Sequence, residues 1–311
     1  MIKMLIKAIT NKSYRTSLLI NRGFYDRLSD EEFVRVQYKA AFGREPDLEA
    51  PKTFNEKIQW LKLHCRDPRY TELVDKLAVK RFIAETLGER YVIPTIGSWE
   101  TPEEVPFDSL PEKYVLKCTH NSGSGTVICR NNSQLDRKAA LAELHRGMNE
   151  DFYKKVREYP YKNVPRRIIC EQFLENTGSR DMPDYKFHCF NGEPKFILVC
   201  RNRFGKGGMT EDFFTTEWEH IPVARPDHPN SAEPVEKTEL LDEMLRISRI
   251  LSAGIPFVRV DLYAANGQIY FGELTFFPAS GAKPFLPETY DRIFGDMLEL
   301  PARNTETGKE E

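Results

Sequence analysis

Two spacings of apolar residues divide the chain. Up to Pro111 they recur at helical intervals, as in DKLAVKRFIAETLG (Asp75 to Gly88), where a glycine closes the run. Three helix starts are marked in the same region. Ser29 stands three residues before Glu32, Thr53 three before Glu56, and Thr101 is followed by Pro102 and Glu104. In each, the hydroxyl accepts from the third residue's N–H and the carboxylate reaches back, so two orphan donors are satisfied together.

After Pro111 the apolar runs shorten to strand length: YVLKC, TVICR, RRIICEQFL, DYKFHCF, KFILVCR, FVRVDLYA and QIYFGELTFF. Two helical stretches interrupt them, Leu135 to about Arg157 and Val235 to about Ala253. Asn191-Gly192 and Asn266-Gly267 each separate two such runs, and Asn-Gly is the pair best suited to a tight hairpin turn. Helices first and antiparallel-rich strands later predict an α+β fold. No segment repeats, and the closing PARNTETGKEE is polar enough to predict a disordered tail.

Composition adds exclusions. At 311 residues, with 40% hydrophobic and 30% charged, the chain suits one large or two modest globular domains. A net charge of −2 offers no basic field, so nucleic acid is not an expected partner. No apolar run approaches the ~20 residues that span a bilayer. The start, MIKMLIKAITNKSYRTSLLINRGF, carries Lys3, Lys7, Lys12, Arg15 and Arg22 among its Ile and Leu residues. Lys7 interrupts the apolar stretch and no small-residue cleavage site follows, which argues against an export signal. The segment reads as an amphipathic helix, either packed on the body or resting peripherally on an anionic membrane surface. Of six cysteines, Cys118, Cys129, Cys170, Cys189 and Cys200 fall in strand-like runs; no C-x-x-C occurs and no spacing suits zinc. They predict buried, reduced thiols in a cytoplasmic protein.

The candidate chemistry begins at VLKCTHNSGSGTVIC, where Lys117 ends one apolar run and a loop with Gly123 and Gly125 precedes the next. No G-x-x-x-x-G-K-[ST] is present, and the third glycine of a dinucleotide fingerprint is missing. What remains is a glycine hairpin with a lysine on its strand, which an ordinary polar turn would also explain. Support comes from FVRVDLYAANGQIYFGELT, which sets Arg259, Asp261, Glu273 and Thr275 among apolar strand residues. Buried charges need partners or a cation. A two-residue Asn266-Gly267 turn would pair Ala265 with Gln268 and send Asp261 and Glu273 to opposite faces. A three-residue turn from Ala265 to Gly267 would set Arg259 opposite Glu273 with Asp261 diagonal on one face, and this is the expected register. Two such carboxylates suit magnesium, which binds one or two of them plus phosphates.

Taken together, TFNEKIQWLKL, DKLAVK, VLKCTHNSGSG, CEQFLEN, DYKFHCFNGEPKFILV and FVRVDLY…GQIYFGELTFFPASG resemble the TupA-like ATP-grasp family over roughly residues 30 to 295. The resemblance implies an ATP-grasp fold, two α+β subdomains clamping a nucleotide. The expected divisions are a helical segment 1–52, a helical part 53–111, a glycine-hairpin subdomain 112–170, a metal-hairpin subdomain 171–300, and the tail 301–311. It further implies ATP and magnesium as cofactors. Lys76 and Lys117 would meet the phosphates, and the loop with His120, Ser122, Gly123, Ser124 and Gly125 would close over them. The backbone of Glu171, Gln172, Phe173 and Leu174 would meet the adenine edge, and Glu175 the ribose. Lys186 would lie near the phosphates or the acyl acceptor. Asp261 and Glu273 would hold magnesium, and Arg259 would steady the γ-phosphate and the oxyanion. Thr275 stands where many ATP-grasp ligases have Asn; its hydroxyl is a weaker ligand, which leaves one or two magnesium ions open.

The implied reaction joins a small-molecule carboxylate to an amine through an acylphosphate, as between an amino acid and a carboxyl-bearing sugar in cell-surface polysaccharide biosynthesis. A kinase of the same fold would use the same nucleotide residues. A glycosyltransferase lacks its D-x-D here, and a binding module would follow only if Thr275 abolished metal binding. His120 would donate to a phosphate or cap its turn. Arg201, Arg203 and Lys206 form a solvated loop or an anion site, and Ser280 and Lys283 stand where a substrate carboxylate would be touched. Thiol titration under denaturing, non-reducing conditions should find all six cysteines free; two or more protected would point to an oxidising compartment.

Overall fold

The computed structural model describes residues 11–177, 182–203 and 207–303. Lys3, Lys7, Lys206 and the tail from residue 304 lie outside them. Two antiparallel sheets organise the chain. The first contains β1 (Thr95–Trp99), β2 (Tyr114–Cys118), β3 (Thr126–Cys129) and β4 (Ile168–Gln172) in the order β1-β4-β2-β3. The second contains β5 (Asp184–Phe190), β6 (Glu193–Arg201), β7 (Thr210–Thr215), β8 (His220–Ile221), β9 (Phe257–Ala265) and β10 (Gln268–Thr275) in the order β10-β9-β5-β6-β7-β8. Helices α1 (Lys12–Asn21), α2 (Asp30–Phe42), α3 (Phe54–His64), α4 (Arg69–Val74) and α5 (Ala78–Leu87) precede both sheets. Between β3 and β4 come α6 (Arg137–Met148) and α7 (Phe152–Val156); α8 (Leu241–Ser252) precedes β9 and α9 (Thr289–Asp296) follows β10. Among the described residues no helix is long and apolar enough to cross a membrane.

The capping boxes form at Ser29 and Thr53, each with hydroxyl and carboxylate bonds in place. The box at Thr101 also forms, but on a single 3-10 turn, Pro102–Glu104. The expected 135–157 helix is two helices, because Asn149 to Asp151 break it and Asp151 caps α7 by accepting from Lys154 N. The second helix starts at Leu241, later than Val235, and its apolar stripe of Leu241, Met244, Leu245, Ile247 and Leu251 is buried. Strand β1 was not legible, being exposed at its first two residues and interrupted by a register shift near Gly97. Neither was β7, where Glu211 and Asp212 are buried in a segment that reads as polar.

One end of the second sheet is sealed by aromatics. Phe54 of α3 meets Phe190, Phe257 and Phe285 at ring distances of 5.9, 5.1 and 5.9 Å, and Phe196 stacks on Phe294 of α9 at 4.1 Å. Each such ring buried contributes roughly 1.5–3 kcal/mol. The opposite face carries α8, whose Ser248 carbonyl accepts from Cys189 Sγ. All six cysteines are free thiols.

The β9–β10 hairpin corrects the expected register. Its turn is the two-residue Asn266-Gly267 form, with Gln268 paired to Ala265 and both turn residues at positive φ, +51° and +76°. The carboxylates nevertheless share a face. A bulge between Phe271 and Glu273 makes Gly272 an extra residue, so beyond it Glu273 faces Asp261 and Thr275, not Glu273, faces Arg259. A Cβ on Gly272 would stand 3.0 Å from both the Asp261 carbonyl and the Tyr263 ring, which is why glycine occupies the bulge.

A tighter approach fixes the glycine hairpin against α6. Gly125 has φ +66°, and a Cβ there would stand 2.4 Å from Cys118 Sγ and 2.9 Å from Gly147 Cα. Gly125→Ala combines a left-handed backbone with a backbone collision, and should destabilise the protein by more than about 1 kcal/mol. Thermal unfolding checks this; an unchanged melting temperature would show that the hairpin does not pack so closely.

Candidate active site between the sheets

Register brings the charged residues of the second sheet onto one face. Lys186 pairs with Asp261 and His188 with Arg259, while Asp184 pairs with Tyr263 on one side and Cys200 on the other. Asp261 is the hub. Arg259 Nε donates to its Oδ1 and Arg259 Nη2 to its Oδ2, both at 2.6 Å, and Lys186 Nζ also donates to Oδ2. Arg259 Nη2 reaches Glu273 Oε1 at 3.3 Å and Thr275 Oγ1 at 3.0 Å, and the Thr275 hydroxyl donates to Glu273 at 3.2 Å. Burial would raise the Asp261 pKa, but Arg259 and Lys186 outweigh it and the net shift is downward. Burial likewise opposes the charge on Lys186, and Asp184 and Asp261 reverse the sign, raising it. His188 lies beneath this cluster, fully buried, stacked on Phe196 at 4.2 Å and held neutral chiefly by burial.

The first sheet contributes a second set of lysines. Lys117 Nζ donates to Glu171 Oε2 at 2.6 Å, and Lys80 of α5 meets Glu171 Oε1 at 2.6 Å. Burial alone would raise the Glu171 carboxyl; the two ammonium groups overcome it and hold the pKa at about 2. Lys76, just ahead of α5, donates to the Asn121 carbonyl of the glycine loop. Its pKa is lowered by burial, opposed first by Glu273, so Lys76 stands within electrostatic reach of the other sheet.

The glycine loop is tied to α6 and to the break after it. Gly125 N donates to Glu143 Oε1 at 2.8 Å, the Ser124 hydroxyl bonds Glu150, and Asn121 Nδ2 donates to the Gly147 carbonyl at 3.1 Å. Ser122 and Gly123 are exposed at the tip. His120 is buried with neither ring nitrogen bonded, and burial lowers its pKa. Gln172, Phe173 and Leu174 lie where the chain leaves β4 for the second sheet, with Arg130 over the Phe173 ring at 4.9 Å. Glu175 pairs with Lys113 at 2.9 Å. The next residues dock on the hairpin turn: Asn266 Nδ2 donates to the Glu175 carbonyl at 2.9 Å and Asn266 N to Asn176 Oδ1 at 3.0 Å. The path joining the sheets thus rests on the Asn-Gly turn.

Several participants were missed in the sequence. Lys80 was readable only as a charge four residues after Lys76. Asp184 accepts from Lys186 Nζ at 2.6 Å and Arg203 Nη2 at 2.9 Å, and its Oδ1 is buried without a partner; the signal was its place two residues before Lys186 on one strand face. Lys62 of α3 is fully buried and donates to Ser280 Oγ at 2.8 Å and Gln37 Oε1 at 3.2 Å. With Gln59 it pins the turn after Thr275, where Ala279 and Ser280 sit at φ +48° and +55°. Ser280 is therefore held from behind by Lys62.

Family comparison fits this arrangement. The model of the TupA-like ATPgrasp family matches residues 56–299. The chain belongs to the TupA-like ATP-grasp family. Its fold is accordingly the ATP-grasp fold. None of the curated proteins matches it. Among solved structures, D-alanine–D-alanine ligase from Bacillus anthracis complexed with ATP shares 15% identity over 66% of this chain and 54% of that one, at a TM-score of 0.40. The Helicobacter pylori D-alanine–D-alanine ligase shares 13% over 73% and 61%, at 0.41. The ATP-grasp ligase PsnB with minimal precursor, Mg and ADP shares 12% over 71% and 57%, at 0.37. The chain thus spans between 54 and 61% of these three proteins' lengths.

The residues present fit magnesium with phosphate. Among the described residues no group of three or more His, Cys, Asp or Glu forms a cage. Asp261 and Glu273 lie directly opposite on one face with the Thr275 hydroxyl beside them, and the Glu273 side chain is 43% exposed. Hard oxygens in this number suit an ion that keeps water and phosphate ligands.

The Glu171 pair yields a pH prediction. Its folded pKa, about 2, lies below the unfolded 4.5, so its stabilisation is full above pH 4.5 and is lost as pH falls toward 2. The shift corresponds to something on the order of 3 kcal/mol. Melting temperature followed from pH 5 to 2 should therefore fall less steeply in Glu171→Gln than in the parent; equal slopes would remove the strongly depressed carboxylate.

Proposed function

We propose that this chain is an ATP-dependent carboxylate–amine ligase, joining an amino acid or other amine to a carboxyl-bearing sugar in cell-surface polysaccharide biosynthesis, in the cytoplasm. The observation that carries the reading is the Arg259–Asp261–Lys186 cluster with Glu273 and Thr275 on one sheet face, within electrostatic reach of Lys76. An oxygen of the substrate carboxylate attacks the γ-phosphorus and ADP leaves, giving an acylphosphate. The amine nitrogen then attacks the acyl carbon, inorganic phosphate departs and the nitrogen loses a proton.

In this reading Lys117 of the first sheet and Lys76 ahead of α5 neutralise phosphate charge, and Arg259 and Lys186 bring positive charge to the transferring group and oxyanion. Magnesium, when bound by Asp261 and Glu273 with Thr275 alongside, would neutralise phosphate charge and align the γ-phosphate. Because Arg259 and Lys186 already compensate Asp261, metal binding without nucleotide is expected to be weak. Donors of the glycine loop now bonded to Glu143 and Glu150 are the ones a polyphosphate would recruit.

ADP release, assayed against panels of uronic acids and amines, tests the reading. Lys117→Met should weaken nucleotide binding about tenfold or more, since a charged hydrogen bond is lost. Glu273→Gln should leave nucleotide affinity within a few-fold and reduce turnover by about 100-fold or more. Asp261→Asn should lose turnover likewise, and also stability, because Arg259 and Lys186 each lose one of their two counter-ions and keep only Glu273 and Asp184. Nucleotide affinity unchanged in Lys117→Met, measured by calorimetry, would sink the assignment.

A further inference from the structure

The site face does not end at the nucleotide residues. The row that contains Tyr263 and Asp184 continues through Cys200 of β6 to Glu211 of β7. Glu211 is 6% exposed, and its Oε2 is buried without a hydrogen-bond partner. A buried carboxylate oxygen left unpaired is costly, so it marks a place where a donor belongs. The nearest cation, Lys283 Nζ, stands 3.9 Å from Glu211 Oε1, too far for a hydrogen bond, and is paired with the exposed Asp227 at 2.8 Å. Arg225, also buried, is spent on main chain: it donates to the Lys283 carbonyl at 2.5 Å and lies over Phe285 at 3.8 Å, which holds the Lys283 segment in place.

Building on the ligase reading, we propose that Glu211 and Lys283 form the acceptor subsite, with the substrate's ammonium on Glu211 Oε2 and its carboxylate on Lys283, so that the acceptor is an α-amino acid. A carboxylate and an ammonium 3.9 Å apart, the ammonium held otherwise by the exposed Asp227, complement the adjacent opposite charges of a zwitterion. Spacing agrees with the chemistry. Glu211 lies three strands from Asp261, about 14 Å across the sheet at some 4.8 Å per strand. That gap accommodates one acylphosphate between the metal carboxylates and the attacking nitrogen. Amide formation requires the ammonium to lose two protons: Glu211, touching that nitrogen, takes the first and frees its lone pair, and as the N–C bond forms and the acyl C–O bond to phosphate breaks, the second leaves with the departing phosphate. Arg225 is a positioning residue.

The test uses the full-length chain loaded with magnesium and AMP-PNP, with each of the twenty amino acids titrated by ligand-observed NMR. At least one should bind. N-acetylation of that amino acid, or Glu211→Gln, should weaken it about tenfold or more, and carboxamide formation or Lys283→Met should do the same. Lys283→Arg should restore binding, which a merely structural lysine would not require. AMP-PNP affinity should be unchanged throughout. A chain that binds AMP-PNP but no amino acid, or one whose amino acid tolerates both N-acetylation and Lys283→Met, overturns the subsite and leaves the nucleotide reading standing. Failure to bind AMP-PNP would overturn the ligase reading and the subsite with it. Should Glu211→Gln not fold, the two analogues and the Lys283 variants decide.

Discussion

A carboxylate buried in the middle of a sheet has to be compensated, and Asp261 is compensated twice. Arg259, two residues away on the same strand, grips both oxygens, and Lys186 reaches across from the neighbouring strand. Charged groups removed from water are tolerated only with such pairing and hydrogen bonding. The cluster therefore fixes strand register as firmly as any apolar contact, since a one-residue slip would bury each charge alone. It also fixes Glu273 and Thr275, because the same guanidinium reaches both. Structure and the proposed chemistry are joined at this point: what keeps the sheet in register is also the positive charge that, in the proposed reaction, would meet a transferring phosphoryl group.

The first sheet solves the same problem with the same signs, one buried carboxylate held by two cations. Glu171 is the buried carboxylate that keeps Lys117 and Lys80 together, two cations that would otherwise repel in a half-buried site. Its neighbour, the glycine loop, is kept in place by acidic residues of α6 and the following break, Glu143 and Glu150. Carboxylates thus occupy donors that phosphate oxygens would also attract. A loop held by a few polar bonds belongs to the low-stability end of a fold, where segments that close on ligands are found.

The helical N-terminal region belongs to the same mechanics. Phe54 enters the aromatic cluster that closes one end of the second sheet, while Lys62 and Gln59, further along α3, grip the carbonyl and hydroxyl groups of the turn after Thr275. Burial lowers the Lys62 pKa, and the neighbouring Glu158 and Asp30 carboxylates oppose that shift, so the ammonium is held there against desolvation. Two non-glycine residues at positive φ persist because these bonds over-determine them. The helix is thus a brace for the segment that leads from the β9–β10 hairpin to Lys283.

Much of this was legible in order along the chain. The capping boxes at Ser29 and Thr53, the strand runs, the Asn-Gly turns and the set Arg259, Asp261, Glu273 and Thr275 all follow from backbone preference and residue chemistry, which act over a few neighbouring positions. The bulge at Gly272 did not. Counting from the turn alone predicts opposite faces for Asp261 and Glu273, and only the press of Gly272 against Asp261 and Tyr263 shows where the extra residue goes. Nor could sequence reveal that Lys80 meets Glu171, that Asp184 shares Lys186 with Asp261, or that Glu211 ends the same row. Those partnerships depend on strand order and on register summed across several pairings, and a single insertion anywhere in that chain of pairings moves a side chain to the other face. Local sequence determined which charges would have to be buried; the order of the strands decided which of them would meet.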